Sequence, residues 1–478
     1  MASCSSSSSQ SNFTFADAMA GFLHCVGLPF VDILSEHRIA KAFEKHGGFF
    51  GRTYTTPIVL WAFLSQVLRD GKEASCQSAV ARISSYLTGR GHQDVDPDTR
   101  DYCRARAKLS EEALHELTTE IAAEAERLVE PEHLWKGRHA KLVDGSTFMM
   151  SDTPRNQAAY PQNPAQKPGI GFPIARFVSI ISLATGCVMD CAITTYKGKE
   201  TGETALLRGL IGCFVKGDVV VADRFYGNYW MIVFLMQVGV DVCFRKHQKR
   251  HTDFRRGRRF GKRDHVVRWD RPGRPPWMSK EQYASIPNSI ELREIGFVIE
   301  EPGRKQQPFV IVTTMLKITG KEAVTKDDLA ELFGFRWNVE LDIRSIKTHM
   351  NLHHLRCKSP EMVRKEFWVT MLAYDAIRTT SLGGSWVTGV KPRDVSFVSC
   401  CQFVLAAWDV VAQKSAMEHR QYCVTRLEQI GKCLVGNRPG RFEPRVRKKR
   451  GSNYNLMMQP RRELQKRLAI GDNSFETK

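Results

Sequence analysis

The chain lacks any C-x2-C pair. Its 13 cysteines are scattered, the nearest neighbours being Cys187 with Cys191 and the adjacent Cys400 and Cys401. That spacing excludes a zinc ribbon and a disulfide framework, and an odd count without pairing points to reduced thiols in a cytosolic setting. Many lie in apolar strings such as VMDCAI and VDVCF, where a thiol packs as a small hydrophobe. No uncharged apolar run reaches the length that spans a bilayer. The N-terminus, MASCSSSSSQS, has neither a basic n-region nor an apolar h-region, so a secretory signal is not expected. Residues 1–12 read as a disordered Ser-rich tail.

Acids are scarce where bases are dense. The chain has 70 Lys and Arg against 51 Asp and Glu, a net charge of +19, and the surplus is confined to two windows. Residues 245–274 carry 13 basic and 3 acidic side chains, residues 438–467 carry 11 and 2, and the remainder is neutral. A run such as RRGRR at 255–259 repels itself without counter-charge. Clustered cation of this kind is the footprint of a polyanion, most simply nucleic acid. Arg255, Arg256, Arg258 and Arg259 are therefore expected against DNA backbone, without reading sequence.

At 478 residues the chain is long enough for two or three domains. Residues 13–133 are patterned as helices, an N-terminal domain suited to DNA. Thr56 followed by Pro57 reads as an N-cap with proline in the first turn, opening IVLWAFLSQVL, and Gly71 as its stop. Segments 73–87 and 98–109 flank the turn TGRGH. They fit either a helix-turn-helix-like module, with Arg100, Arg104 and Lys108 about a turn apart, or a plain bundle.

After residue 134 the texture changes. AKLVDGSTFMM, ARFVSIISLA, VMDCAITTY, DVVVAD and VDVCFRKH read as strands. TGETALLRGLIGCF and NYWMIVFLMQVG read as helices between the last three. The order β-β-β-α-β-α-β predicts a mixed α/β sheet. Residues 248–316, basic and turn-rich around PGRPP, read as a largely β insertion in a domain made of 134–247 and 317–380. Helical stretches near 359–380, 393–413 and 416–431 follow, giving a C-terminal helical region at 381–435 and a basic tail at 436–478.

Two aspartates stand out. Asp144 lies within the first strand, in LVDGST, and Asp223 ends the fourth, in GDVVVADRF. Both follow wholly apolar residues, where burial without a cation is costly. In a β-β-β-α-β-α-β fold of the ribonuclease H type, strand four packs beside strand one and brings the two acids within one metal-binding distance. The stretch 335–347, FRWNVELDIRSIK, is predicted as one amphipathic helix with Arg336, Glu340 and Lys347 along a line beside an apolar stripe. Alone, Arg336 and Glu340 are an ordinary i,i+4 pair worth ~0.3 kcal/mol. Over the sheet edge, Glu340 becomes a third carboxylate. Three hard oxygen donors suit Mg²⁺, with Mn²⁺ as a substitute. Two such ions about 3.5–4 Å apart support in-line phosphodiester displacement. Arg336 and Lys347 would then hold substrate phosphates.

Other candidates carry less. His349, His353 and His354 in KTHMNLHH include an i,i+4 pair that could chelate zinc, but no acid occupies the positions such a motif needs. Trp269 and Trp277 are either packing for the insertion or wedges against a flipped base. Ser146 and Thr147, beside Asp144, have no base and orienter to make a nucleophile.

The spacing Phe333-x2-Arg336-x3-Glu340-x6-Lys347 resembles the Y-x2-R-x3-E-x6-K signature of DDE transposases of bacterial insertion sequences, specifically insertion-sequence family four. DTPRNQAAYP, KPGIGFPIAR, YKGKETGETALLR, VVVADRFYGNYW and TDFRRGRRFGKRDH agree, and the resemblance covers residues 134–396. It implies a ribonuclease H-like catalytic domain interrupted by the β-rich insertion. It also implies cleavage at element ends and strand transfer into target DNA with two Mg²⁺ per site, and a homodimer synapsing terminal inverted repeats. Asp144, Asp223 and Glu340 match the catalytic and metal-binding triad, Arg336 and Lys347 its phosphate contacts, and Trp337 an aromatic position beside the site. Phe333 departs from the family's tyrosine and loses a hydroxyl worth about 1 kcal/mol. The expectation is a bacterial cytoplasmic, nucleoid-associated enzyme with no membrane partner. A domesticated DNA-binding protein without catalysis, or a ribonuclease H-like nuclease, are the alternatives.

Overall fold

A computed structural model describes residues 33–51, 53–89, 95–299, 307–411, 416–436, 457–472 and 474. The Ser-rich tail at 1–12 and most of the basic tail lie outside the described residues, as does most of the TGRGH turn. The chain divides into two compact units. One gathers the described residues up to Val129 with Trp368–Val435, the other Glu130–Phe367 with the described residues of the tail. The boundary falls inside a 29-residue helix, Pro360–Thr388.

The first unit is helical: Glu36–His46, Thr56–Val67, Cys76–Thr88, Thr99–Ala107 and Glu111–Arg127, then the later helices Phe397–Val411 and Ala416–Lys432. Its capping differs in detail from the sequence reading. The cap of the second helix is Thr55, whose hydroxyl accepts from Ile58 N, while Thr56 is buried and accepts from Phe50 N. The helix ends at Val67, and Gly71, at φ +53°, opens a separate 3₁₀ turn. Trp61 stacks on Trp408 in this unit's core at 5.6 Å between ring centroids.

The second unit is built on one ten-stranded sheet: β1 Ala140–Met150, β2 Ile174–Ser182, β3 Val188–Thr195, β4 Val219–Ala222, β5 Asp241–Arg245, β6 Arg258–Gly261, β7 Asp264–Asp270, β8 Ser289–Ile299, β9 Gln307–Thr313 and β10 His354–Leu355. The spatial order is β3-β2-β1-β4-β5-β9-β8-β7-β6, with β10 against the end of β1. β1, β4 and β5 run parallel, and β2 and β3 form the antiparallel meander. The helices between β3 and β5 are Glu203–Gly209 and Tyr229–Gln237, the latter capped by Asn228. All of β4 and the first four residues of β1 are buried, as parallel strands covered on both faces must be.

The insertion does not form a sheet of its own. β9 pairs antiparallel with β5, so β6 to β9 continue the central sheet. The basic tail holds one described helix, Arg461–Ala469. Among the described residues no helix is long and apolar enough to cross a membrane.

Candidate active site

Register sets the site. In the parallel pair β1 and β4, Val143 lies opposite Ala222. One step further along each chain come Asp144 and Asp223, just past a buried strand pair, and both aspartates act on the phenol of Tyr226. Asp144 is half-buried, and its Oδ1 accepts the Gly145 amide at 2.8 Å. Burial pushes its carboxyl up to about 6; the Gly145 N–H opposes the rise, Glu203 adds to it, and Arg336 and Glu340 act in opposite senses. Asp144 therefore sits in the fields of Glu203, Arg336 and Glu340.

Glu340 comes from a helix packed on β1, Trp337–Arg344. The single helix expected over 335–347 is interrupted. Lys326–Gly334 ends in a turn at Phe335 and Arg336, Trp337–Arg344 follows, and Ser345–His349 is a π-helical turn closed by Met350 N to Ser345 O. Arg336 Nη2 donates to Glu340 Oε1 at 2.9 Å, with the side chains 18% and 36% exposed. Its guanidinium lies 5.9 Å from the centre of the Phe333 ring, so the ring at 333 still holds the arginine without a hydroxyl. Lys347 sits in the π turn. Its Nζ donates to Ser146 Oγ at 3.1 Å, and burial lowers its pKa. A wide turn of this kind re-aims side chains and recurs at functional sites. Trp337 is 51% exposed beside these groups.

The carboxylates at 144, 223 and 340 do not all lie within 4.8 Å of one another. Among the described residues the cluster that meets that spacing is Glu130, Glu132 and His133, two exposed acids and a half-buried histidine at a 3₁₀ turn. Each of two of these acids has a partner of its own: Glu340 is paired with Arg336, and Asp144 accepts the Gly145 amide. The donor set nevertheless fits a hard divalent cation: oxygen ligands only, one of them a half-buried acid whose ionisation such a charge would favour.

The remaining candidates sort plainly. Arg255 and Arg256 project into solvent with side chains 85% exposed, sharing Asp253 as partner. Arg259 donates to Phe254 O, and the Arg258 guanidinium lies 5.2 Å from the Phe260 ring centre. Trp269 is buried, donating to Glu294 at 2.8 Å beneath the Arg250 guanidinium, so it packs and does not wedge. Trp277 is half-buried, 3.8 Å from Arg208 and edge-on to Trp230, which also occupies it in packing. His353 Nδ1 meets Lys347 O, and His354 is part of β10, so the histidine run serves the chain path.

Two residues of the site were not read from the sequence. Glu203 opens the helix after Gly202, where an acid ordinarily complements the helix dipole. Tyr226 is 1% exposed and its hydroxyl donates to Glu203 Oε2 at 3.3 Å. Burial, then Glu203, Asp144 and Asp223, hold its phenol well above the ordinary value. Of the two, only Glu203, one of two acids in the block YKGKETGETALLR, carried any advance signal.

Residues 135–375, just over half of the chain, match the family described as a transposase DDE domain. The chain is 23% identical over 380 residues to the transposase InsG for insertion sequence element IS4 of Escherichia coli (strain K12), across 78% of this chain and 81% of that protein. A solved piggyBac transposase synaptic complex with hairpin DNA aligns over 90% of this chain and 87% of its own at 9% identity, with a TM-score of 0.44.

Proposed function

The chain belongs to the transposase DDE domain family, and from that premise we propose that Asp144, Asp223 and Glu340 are its catalytic carboxylates. The family's activity is DNA cleavage and strand transfer with divalent metal. What supports this assignment is the β1–β4 register, in which each aspartate directly follows the last residue of a buried parallel pair, with Glu340 within electrostatic reach of Asp144. The strand order β3-β2-β1-β4-β5, with helices between β3 and β5, favours a ribonuclease H-like catalytic domain extended by the 248–316 insertion. Asp144 and Asp223 would hold two Mg²⁺, or Mn²⁺, with Glu340 joining as Arg336 releases it. When bound, such a pair stabilises both the attacking and the leaving oxygen of a phosphodiester displacement.

The chain's own residues do the rest. Arg336, freed from Glu340 and backed by Phe333, offers its planar fork to a phosphate. Lys347, held by Ser146, adds a point charge, and Trp337 offers an exposed ring to DNA bases at the cut. The substrate is double-stranded DNA, terminal inverted repeats and target, bound by a homodimer in the bacterial cytoplasm at the nucleoid. With linear DNA bearing the element's ends and Mg²⁺, wild type is expected to cleave and Asp223→Asn to be silent. Equal cleavage by the two proteins removes the assignment.

Arg255, Arg256, Arg258 and Arg259 would contact DNA backbone. Each phosphate neutralised contributes about 0.9 to the log–log salt slope. Changing all four to Gln is expected to flatten that slope by about 3 to 4 for non-specific duplex, measured by titration across 50–200 mM salt. An unchanged slope would place the DNA elsewhere.

A further inference from the structure

We propose that Glu203 is a positioning residue of the metal site: braced by Tyr226, its carboxylate fixes how far apart Asp144 and Asp223 stand. The inference rests on the assignment of those aspartates above. Glu203 folds back over Gly145, the residue after Asp144. A Cβ placed on Gly145 would lie 2.5 Å from Glu203 Cδ and 2.7 Å from its Oε1. Only glycine leaves room for the carboxylate there. On its other side Glu203 accepts the Tyr226 hydroxyl. Tyr226 belongs to the turn that Asp223 begins, its amide donating to Asp223 O at 3.1 Å. One side chain thus touches the segment that carries each aspartate. The helix it opens packs on β2 and β3, so the brace has a rigid base.

An acid that merely complemented its helix dipole would stay in solvent, not crowd a glycine and a buried phenol. Placed here it meets the field of Asp144, a repulsion that a bound cation would offset. Groups that hold ligands in place are typically worth 10–100-fold in metal affinity.

The test is Mn²⁺ binding to the full-length, DNA-free protein by calorimetry, alongside its thermal midpoint. Glu203→Gln, equal in size but uncharged, is expected to weaken Mn²⁺ binding about 10–100-fold with the midpoint unchanged. Tyr226→Phe is expected to weaken it less, and it carries the test should Glu203→Gln fold poorly. Normal Mn²⁺ binding in both variants, with binding lost in Asp223→Asn, overturns the brace alone. Normal binding in Asp223→Asn as well removes the metal site and the brace together.

Discussion

Asp144→Asn is expected to abolish DNA cleavage and, in the same protein without metal, to raise stability at neutral pH. The catalytic loss follows from the role proposed for Asp144: removing one ligand of a site asked to supply several kcal/mol of transition-state stabilisation costs about 10³-fold in rate or more. The stability gain follows from burial. The folded carboxyl is raised to about 6 from its ordinary 3.8. Below pH ~4 it is protonated in both states and contributes nothing. Between ~4 and ~6 the unfolded chain gives up the proton while the folded chain keeps it, so folding weakens as pH rises. Above ~6 the full penalty is present, up to about 3 kcal/mol and less to the extent that solvent reaches this half-buried group. Asparagine keeps the acceptor for the Gly145 amide and removes the charge. Denaturation from pH 4 to 8 should show the two proteins level at the acid end and the variant pulling ahead toward pH 7. Wild type should recover the difference in Mg²⁺ through binding linkage, and the variant should not. A variant less stable than wild type at pH 8 would contradict a buried charged acid at 144.

That penalty also shows what the sequence could reveal. Asp144 and Asp223 stand out in the sequence because each directly follows a short strand segment, AKLV or VVVA, and segments of that kind announce themselves locally. The bounds of β1 were read to the residue for the same reason. Arg336 and Glu340 pair as four-residue spacing dictates. What stayed hidden depends on partners distant in sequence. Nothing within 248–316 tells β9 to pair with β5, because edge pairing is settled by which strand is left open. The π turn that sends Lys347 to Ser146 has no composition mark. Glu203 looks like any helix-opening acid until the bare backbone of Gly145 is set beneath it. The insertion hid most, since its polar residues looked uniformly solvated and several prove to be buried.

Glu294 is the centre of that buried set, and Glu294→Ala is expected to be among the most damaging single changes in the second unit. It is 2% exposed on β8. Its oxygens accept from Lys246 Nζ at 2.6 Å and Trp269 Nε1 at 2.8 Å, and His265 Nε2 lies 3.6 Å away. Lys246 in turn donates to His251 O and Thr252 Oγ1, pinning the segment that leads into Arg255 and Arg256. Burial already lowers the Lys246 pKa and Glu294 opposes that fall, so removing the acid strands an ammonium in the interior. Breaking one side of such a pair costs about 3–5 kcal/mol, whereas replacing both members by apolar residues of similar size is often close to neutral. Lys246→Met with Glu294→Leu should therefore recover the thermal midpoint that Glu294→Ala loses. It should not recover DNA affinity, because the clamp on the Arg-rich loop is gone while its arginines remain. Thermal melting read beside duplex binding separates the two effects. If the double variant binds DNA as tightly as wild type, the buried pair holds only the sheet, and the loop finds its place without it.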